Sequence, residues 1–268
     1  MAIDYSIKKL KKWFSGIDAS ITAFSGGVDS ALVLYLSKLY LGDNAMAIVG
    51  VSPSLKSRDK QLAIDFCKKH SIQLKLINTN ELEIAAYAQN PEDRCYHCKN
   101  ALYNQIKSIG HQFPKHTILN GTNIDDLDDY RPGLTSAREN QVRSPLAECN
   151  IGKGELRMIA KHFGLDVWDK PASPCLSSRI PYGEPITLEK LNRIEEAEEI
   201  LFQLGFKDCR VRHYEAGASI EVPSSSVESL LELGLEPMVR IKNLGFEKVV
   251  IDSEGLVSGK LNRVLSNG

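Results

Sequence analysis

No apolar run in this 268-residue sequence is long enough to cross a bilayer. The longest, residues 31–36, has six residues, whereas a spanning helix needs about 20. Neither sign of charge is in excess, because 33 Lys and Arg stand against 34 Asp and Glu. With so little net charge, the protein has no overall electrostatic attraction to nucleic acid or to an anionic membrane. Residues 1–14 are basic but lack the apolar stretch and cleavage site of a signal peptide. We therefore predict an amphipathic first helix and a cytoplasmic protein with no membrane partner.

Short apolar runs alternate with helical patterns over the first two-thirds of the chain. This alternation is typical of an α/β fold with a parallel sheet covered on both faces, in which ligands bind beyond the carboxyl ends of the strands. The predicted strands are 20–24, 45–51, 73–77, 117–120 and 166–168, and the predicted helices are 30–40, 57–70, 99–109 and 153–163.

A change of character at residue 170 indicates a second domain. Four prolines between 170 and 185 predict an extended connection. A new α/β pattern follows, with an amphipathic helix over 188–204 and strands near 208–214, 218–222 and 246–251. Residues 186–268 carry 10 basic against 14 acidic side chains, which disfavours a nucleic-acid platform. We predict a nucleotide-binding domain over 1–170, a Pro-rich connection over 171–187 and a small α/β domain over 188–268.

The segment Ser25-Gly-Gly-Val-Asp-Ser30 directly follows the first predicted strand and opens a helix. Its two glycines, Gly26 and Gly27, allow a tight turn in which successive N–H groups face one concavity, and the helix N-terminus adds further donors. Both serines offer hydroxyl groups, while Asp29 either caps the helix or helps to hold magnesium. The segment therefore predicts a pyrophosphate site, with an ordinary capped turn as the alternative.

An acidic loop over 121–133 follows the strand predicted at 117–120. Gly121 would permit close approach of a nucleotide, and Thr122 offers a polar contact. Asp125 and Asp126 are candidates for contact with a metal or a ribose. A solvated acidic loop is the alternative, and it is the one that we predict for Asp128 and Asp129.

Cysteine is scarce, with six residues, which excludes a disulfide scaffold. Cys95 and Cys98 form a Cys-Tyr-His-Cys unit ahead of a helix predicted to begin near residue 99. Its N-terminus would stabilise their thiolates. Cys175 lies in the Pro-rich connection, where we expect it at the surface. Three thiolates suit three irons of a [4Fe–4S] cluster and leave the fourth iron open. Zinc, with His97 or water as a further ligand, and a simple pair of reduced thiols are the alternatives. The remaining cysteines are predicted to be structural: Cys67, Cys149 and Cys209.

Arginines in the second predicted domain form a candidate phosphate site. Arg210 and Arg212 share one face of a strand because side chains alternate. Together with Arg179 they would suit bidentate contacts to a phosphate. Glu198 borders the apolar stripe of the preceding helix, where a carboxylate needs a cationic partner. An exposed, salt-bridged strand is the alternative.

The segment Ser25–Ser30 resembles the PP-loop of the N-type ATP pyrophosphatases, and no Gly-x-x-x-x-Gly-Lys-Ser/Thr sequence occurs. This resemblance implies cleavage of ATP between the α and β phosphates, leaving an adenylated substrate. It also nominates adenosine contacts at the first two strand ends, with Arg58 near the phosphates. These contacts are Ala23, Phe24, Val49 and Gly50.

Five segments together resemble the LarE family of sulfurtransferases over essentially the whole chain: 25–30, 90–99, 121–133, 174–183 and 210–212. The resemblance implies that a pyridinium mononucleotide with two carboxylates is adenylated, after which sulfur displaces AMP. The product is a thiocarboxylate on the route to the nickel-pincer nucleotide of lactate racemase. One branch of the family consumes a single cysteine, whereas the branch with three cysteines uses a [4Fe–4S] cluster. Cys95, Cys98 and Cys175 indicate the second branch.

The same resemblance assigns substrate binding or activation to Lys99, Glu198, Arg210 and Arg212, with Ser178 and Arg179 lining the site. The expected cofactors are ATP, Mg²⁺ and the cluster. The expected partners are a sulfide or other sulfur donor and further copies of the chain in a hexamer. A cluster-dependent tRNA thiolase is the nearest alternative, which the acidic second domain disfavours. A zinc-stabilised nucleotide sensor is the alternative from another class.

Overall fold

A computed structural model of the chain describes residues 2–113, 115–127, 132–215, 217–257, 259–261 and 263. Asp128 and Asp129, which the sequence predicts to be solvated, lie outside these ranges. The chain divides into two compact units. The first unit comprises Met1–Ile84 and Asp93–Ser173, and the second comprises Ala85–Glu92 and Pro174–Gly268. The boundaries predicted at 170 and 188 stay a prediction.

The regular elements follow one another in chain order. The helices are α1 (Ala2–Phe14), α2 (Val28–Leu41), α3 (Ser57–Lys69), α4 (Ala85–Ala88), α5 (Arg94–Ser108), α6 (Pro132–Glu139), α7 (Pro145–Glu148), α8 (Lys153–His162), α9 (Leu188–Gln203), α10 (Val227–Glu232) and α11 (Glu236–Lys242). The strands are β1 (Ala19–Ala23), β2 (Ala45–Val51), β3 (Gln73–Asn78), β4 (His116–Leu119), β5 (Arg210–Tyr214), β6 (Gly217–Glu221) and β7 (Lys248–Ile251). Across the described ranges, every helix falls short of the length and apolarity that a membrane crossing requires.

The first unit is built on a four-stranded parallel sheet in the order β3-β2-β1-β4, which confirms the predicted α/β fold. Every residue of the central strand β1 is buried, as expected for a strand with neighbours on both sides. Its Ile21 pairs with Met46 of β2 and Ile118 of β4. Because the strands are parallel, the segments that follow β1 and β4 emerge at the same edge of the sheet.

Two sequence predictions fail in the segment that follows α8. Residues 166–168 form turns rather than a strand, since the N–H of Trp168 donates to the carbonyl of Leu165. An apolar Val-Trp pair is therefore not enough to specify a strand without a neighbouring strand to receive it. The Pro-rich connection is also not extended throughout, because Leu176–Arg179 forms a turn of 3-10 helix.

The second unit contains a three-stranded sheet in the order β5-β6-β7. The β5–β6 pair is antiparallel and the β6–β7 pair is parallel. The amphipathic helix predicted at 188–204 is α9, whose Ala197 and Leu201 pack in one core with Val211 and Ile220 of the sheet. Helix α4 belongs to this unit, and beside it the Asn90 side chain donates to the carbonyl of Pro181 at 2.7 Å.

Glu148 joins three parts of the first unit and predicts a measurable pH effect. It accepts hydrogen bonds from Trp13 Nε1 at 2.8 Å, Arg143 Nε at 2.9 Å and Ser144 N at 2.9 Å. Burial works to raise the pKa of Glu148, but these donors outweigh it and lower the pKa from 4.5 to about 2.

A lowered carboxyl pKa stabilises the fold above pH 4.5 and loses this effect as the pH falls towards about 2. We expect Glu148→Gln to reduce the free energy of unfolding at pH 7 by about 1 kcal/mol, because solvent screens this partly exposed group. Urea unfolding at pH 7, 4.5 and 3 should show the two proteins converging as the pH falls. A gap that does not depend on pH would contradict this assignment.

Candidate functional site

The segment Ser25–Ser30 connects β1 to α2: its first three residues form a tight turn, and its last three form the first turn of the helix. Gly26 has a φ of +73°, in the left-handed region that favours glycine. Gly27 is the N-cap of α2, so the first N–H groups of the helix have no acceptor within the helix. Ser30 Oγ accepts from the N–H of Ser25 at 3.2 Å and lies 3.0 Å from Ser25 Oγ. The N–H groups of the first turn of α2 and the two serine hydroxyls together offer hydrogen-bond donors that suit an anion.

Asp29 does not cap α2. The N-cap residue is Gly27, and no side chain makes a capping hydrogen bond there. The Asp29 carboxylate instead accepts from Lys153 Nζ at 2.6 Å and from Asn123 Nδ2 at 3.1 Å. The capping interpretation is thus wrong, whereas the interpretation as a magnesium ligand stays a prediction. Sequence reasoning missed Lys153, since it lies 124 residues from Asp29 and no local pattern connects them.

The loop after β4 reaches the same place as the start of α2. A Cβ added to Gly121 would lie 2.5 Å from the backbone nitrogen of Ser30. The close approach that requires glycine here is therefore made by the first turn of α2. Thr122 is half-buried, and its N–H donates to Asn120 Oδ1 at 3.1 Å.

The two acidic candidates in this loop hold protein groups. Asp125 accepts from the N–H of Lys153 at 2.7 Å, which fixes the start of α8 against the loop. Asp126 accepts from Asn123 Nδ2 at 2.9 Å. Ser25–Ser30, Gly121 and Lys153 are thus brought together at one end of the first sheet.

The residues nominated for adenosine lie at the carboxyl ends of β1 and β2. Ala23, Phe24 and Val49 are all buried, so any contact with a nucleoside would be made by their main chain. Phe24 packs against Phe66 of α3 with ring centroids 5.4 Å apart, and its N–H donates to the carbonyl of Ile48 at 2.8 Å. Arg58 is half-buried in the first turn of α3.

Cys95 and Cys98 lie inside the first two turns of α5 rather than before the helix. The helix begins at Arg94, five residues earlier than predicted, and its N-cap is Asp93. Cys95 is exposed and Cys98 is half-buried. They are three residues apart on one helix, so their side chains share a face.

Both of these cysteines belong to the first unit, whereas Cys175 is an exposed residue of the second. In the residues that the structure describes, no group of three or more His, Cys, Asp or Glu side chains is arranged to hold a metal ion. The three cysteines predicted to be structural, Cys67, Cys149 and Cys209, are buried, and burial raises the pKa of the Cys67 thiol to about 12.

Arg179 organises the turn that carries Cys175. Its guanidinium is almost fully buried and binds the carboxylate of Glu198 through two hydrogen bonds of 2.7 and 3.2 Å. It also donates to the carbonyl of Pro174 at 2.9 Å and to Ser178 Oγ at 2.8 Å. Burial works to lower the pKa of Arg179, but the Glu198 carboxylate outweighs burial and raises it. The predicted need of Glu198 for a cationic partner is confirmed.

Arg210 and Arg212 are both buried, which excludes the alternative of an exposed strand. Arg212 Nε donates to Glu221 at 2.8 Å, and its Nη1 donates to the carbonyl of Ser178 at 2.9 Å. Over the described ranges, no carboxylate is hydrogen-bonded to the guanidinium of Arg210. Burial, followed by repulsion from Arg179 and Arg212, lowers the pKa of Arg210. A buried cation in this position suits an anionic ligand.

Comparison with known proteins identifies the family of the chain. The NAD synthase family matches residues 4–106. An uncharacterized protein of Synechocystis sp. is 43% identical over 98% of this chain and 99% of its own length. An uncharacterized protein of Methanocaldococcus jannaschii is 31% identical over 87% of this chain and 89% of its own. The pyridinium-3,5-bisthiocarboxylic acid mononucleotide synthase of Lactiplantibacillus plantarum is 32% identical over 91% of this chain and 89% of its own. The chain therefore belongs to the LarE family of PP-loop, ATP-dependent sulfurtransferases.

Proposed function

We propose that this enzyme adenylates a carboxylate of a pyridinium biscarboxylate mononucleotide and replaces the AMP with sulfur. The product, a thiocarboxylate, is an intermediate in biosynthesis of the nickel-pincer nucleotide of lactate racemase. The observation that carries the substrate assignment is Arg210, a buried guanidinium beside two further arginines and without a hydrogen-bonded carboxylate among the described residues. A nucleotide phosphate supplies the anion that such a cation needs.

The adenylation step uses the PP-loop. A carboxylate oxygen of the substrate attacks the α-phosphorus of ATP, the bond to the β-phosphate oxygen breaks, and pyrophosphate leaves. The N–H groups at the start of α2 and the hydroxyls of Ser25 and Ser30 would bind the departing pyrophosphate. Sulfur then attacks the carbonyl carbon of the mixed anhydride and AMP leaves. Adenylation is required because an oxide is a poor leaving group and AMP is a good one.

Asp29 and Lys153 would serve the phosphates in this step. The Asp29 carboxylate lies at the head of α2, and carboxylate oxygens are the ligands that Mg²⁺ prefers. Mg²⁺, when bound, would neutralise charge on the phosphate oxygens. Lys153 donates to the Asp29 carboxylate at 2.6 Å, so its ammonium lies beside the group that would hold the metal and would there bind phosphate oxygens as well.

Different residues would bind the phosphate and the carboxylate of the substrate. Arg210 and Arg212 would hold its phosphate, with Ser178 beside them through the hydrogen bond that joins its carbonyl to Arg212. The guanidinium of Arg179 donates its hydrogen bonds to Glu198 and to the turn that carries Cys175. This supports a positioning role for Arg179 and Glu198. Lys99, on α5, is retained as a residue that binds or activates the substrate carboxylate.

Sulfur delivery by a [4Fe–4S] cluster remains part of the proposal. Cys95, Cys98 and Cys175 would hold the cluster, which when bound would supply sulfide at its unligated iron. The exposure of Cys95 and Cys175 supports this role, since a thiolate must be accessible to bind a metal. Zinc at the same thiols would stabilise the fold but supply no sulfur.

We also retain assembly of several copies of the chain. Large apolar side chains are exposed on α10, on α11 and between these helices, including Leu231, Leu235 and Val239. Their exposure supports a contact between copies, because such side chains are usually covered. Light scattering on the purified protein would measure the assembly directly.

The decisive experiment follows pyrophosphate release by anaerobically purified protein supplied with ATP and the pyridinium biscarboxylate mononucleotide. We expect Arg210→Met to raise KM for the mononucleotide by about 10- to 100-fold while ATP affinity stays the same. Arg240→Met is the control, since Arg240 makes an exposed pair with Glu236 within α11. ATP binding without pyrophosphate release would indicate a sensor, and tight, salt-sensitive tRNA binding would indicate a tRNA thiolase.

Mass spectrometry of the peptide that contains Cys175, after turnover, distinguishes sulfur delivery by the cluster from sacrifice of the cysteine. A brown protein that makes several products while Cys175 keeps its mass would support the cluster. A colourless, iron-free protein with dehydroalanine at position 175 would refute it.

A further inference from the structure

The segment that follows α8, residues 168–173, is tied down along its length within the first unit. We call this segment the strap. Arg157 of α8 donates to the carbonyl of Trp168 at 2.7 Å and to the carbonyl of Lys170 at 2.8 Å. Ser173, at the other end, donates to Asp59 Oδ2 at 2.6 Å. The strap has no regular secondary structure, so its path depends on these side-chain contacts.

Lys170 connects the strap to the PP-loop. Its ammonium donates to the carbonyl of Gly26 at 3.1 Å and to Asp59 Oδ1 at 3.0 Å. The lysine side chain is 17% exposed and that of Asp59 is 10% exposed, so water screens the pair only weakly. The backbone of Asp59 also lies against the loop, because a Cβ added to Gly26 would be 3.3 Å from the Asp59 carbonyl oxygen.

We propose that Lys170 is a positioning residue that sets the PP-loop in its anion-binding conformation. In a trans peptide the carbonyl and the following N–H point in opposite directions. By holding the Gly26 carbonyl on the side of the strap, Lys170 directs the N–H of Gly27 to the opposite side, where the pyrophosphate would lie. Gly26, with its φ of +73°, lacks the side chain that would otherwise restrict rotation of this peptide.

The effect of Lys170 acts through geometry rather than through charge. Asp59 neutralises the ammonium, so the pair adds little positive potential to the loop. Lys170 thus differs from a lysine that binds phosphate directly. Because the ammonium is used by the Gly26 carbonyl and by Asp59, its removal should affect the pyrophosphate and not the nucleoside.

Calorimetric titration of the full-length protein with two probes, inorganic pyrophosphate and adenosine, tests this role. The inference rests on the proposed pyrophosphate site, and binding of pyrophosphate by the wild type tests that site by itself. We expect Lys170→Met to raise Kd for pyrophosphate about tenfold and to leave Kd for adenosine within about twofold. Asp59→Asn should act in the same direction, and Lys170→Arg should restore most of the affinity because it keeps a donor.

Lys38→Met is the matched control, because Lys38 lies on α2 and pairs with the exposed Asp43 at 2.7 Å. It should change neither affinity. An unchanged Kd for pyrophosphate in Lys170→Met would overturn the inference while leaving the pyrophosphate site in place. An equal loss of both probes, together with a lower unfolding midpoint, would also overturn it, because a general loosening of the unit would explain that result.

Discussion

Replacing Glu198 by Ala should lower the free energy of unfolding of the second unit by about 3–5 kcal/mol. The substitution leaves the Arg179 guanidinium buried with no carboxylate at 2.7 Å to offset its charge. It also removes the acceptor of the Val211 N–H at 3.2 Å. Urea unfolding followed by circular dichroism measures the loss.

Two further variants show whether the loss of stability comes from the unpaired buried charge or from any change to α9. Glu189→Ala removes an exposed pair with Arg193 on the same helix and should cost about 0.5 kcal/mol or less. The double variant Glu198→Met with Arg179→Met should recover much of the loss, since replacing both partners leaves no unpaired charge. A double variant as unstable as Glu198→Ala would show that the ion pair is not the cause.

Most of the first sheet could be predicted from the sequence because short apolar runs mark its strands, most clearly in β1 and β2, which are largely buried. Strand β2 has the predicted bounds, β3 ends one residue later, and β1 and β4 are both shifted by one residue towards the N-terminus. The apolar pattern fails at residues 166–168, which form turns with Val167 and Trp168 only half-buried. It also places the start of α5 five residues late, since Cys-Tyr-His-Cys has no apolar periodicity.

In the candidate site, the local sequence pattern predicts the need of single residues for a partner but not which distant residue supplies it. Glu198 borders an apolar stripe, so its need for a cation could be predicted from the sequence. The pairing of Asp29 with Lys153 and that of Asp59 with Lys170 could not, because they join positions 124 and 111 residues apart. Such contacts depend on which strand ends share an edge of the sheet and on how the segment after α8 turns back.

Gly121→Ala should damage both stability and nucleotide binding, because its new methyl group would meet backbone. The added carbon would lie 2.5 Å from the Ser30 nitrogen, 2.8 Å from the Asp29 carbonyl carbon and 2.9 Å from the Ser30 Cα. Side chains can turn away from such an overlap, but the first turn of α2 cannot move without disturbing the PP-loop. We expect the free energy of unfolding to fall by about 3 kcal/mol and Kd for ATP to rise at least about tenfold.

The chain offers a matched control for this test in Gly154, near the start of α8. A Cβ added there meets nothing within 4 Å. Gly154→Ala should therefore leave ATP binding unchanged and stabilise the protein by up to about 1 kcal/mol, since alanine is the better helix former. If Gly121→Ala has the same free energy of unfolding and the same Kd for ATP as Gly154→Ala, the loop after β4 does not lie against α2 as closely as the structure places it. A loss confined to Gly121→Ala would instead mean that this glycine serves the fold of the PP-loop through backbone packing, so that the nucleotide need not touch it.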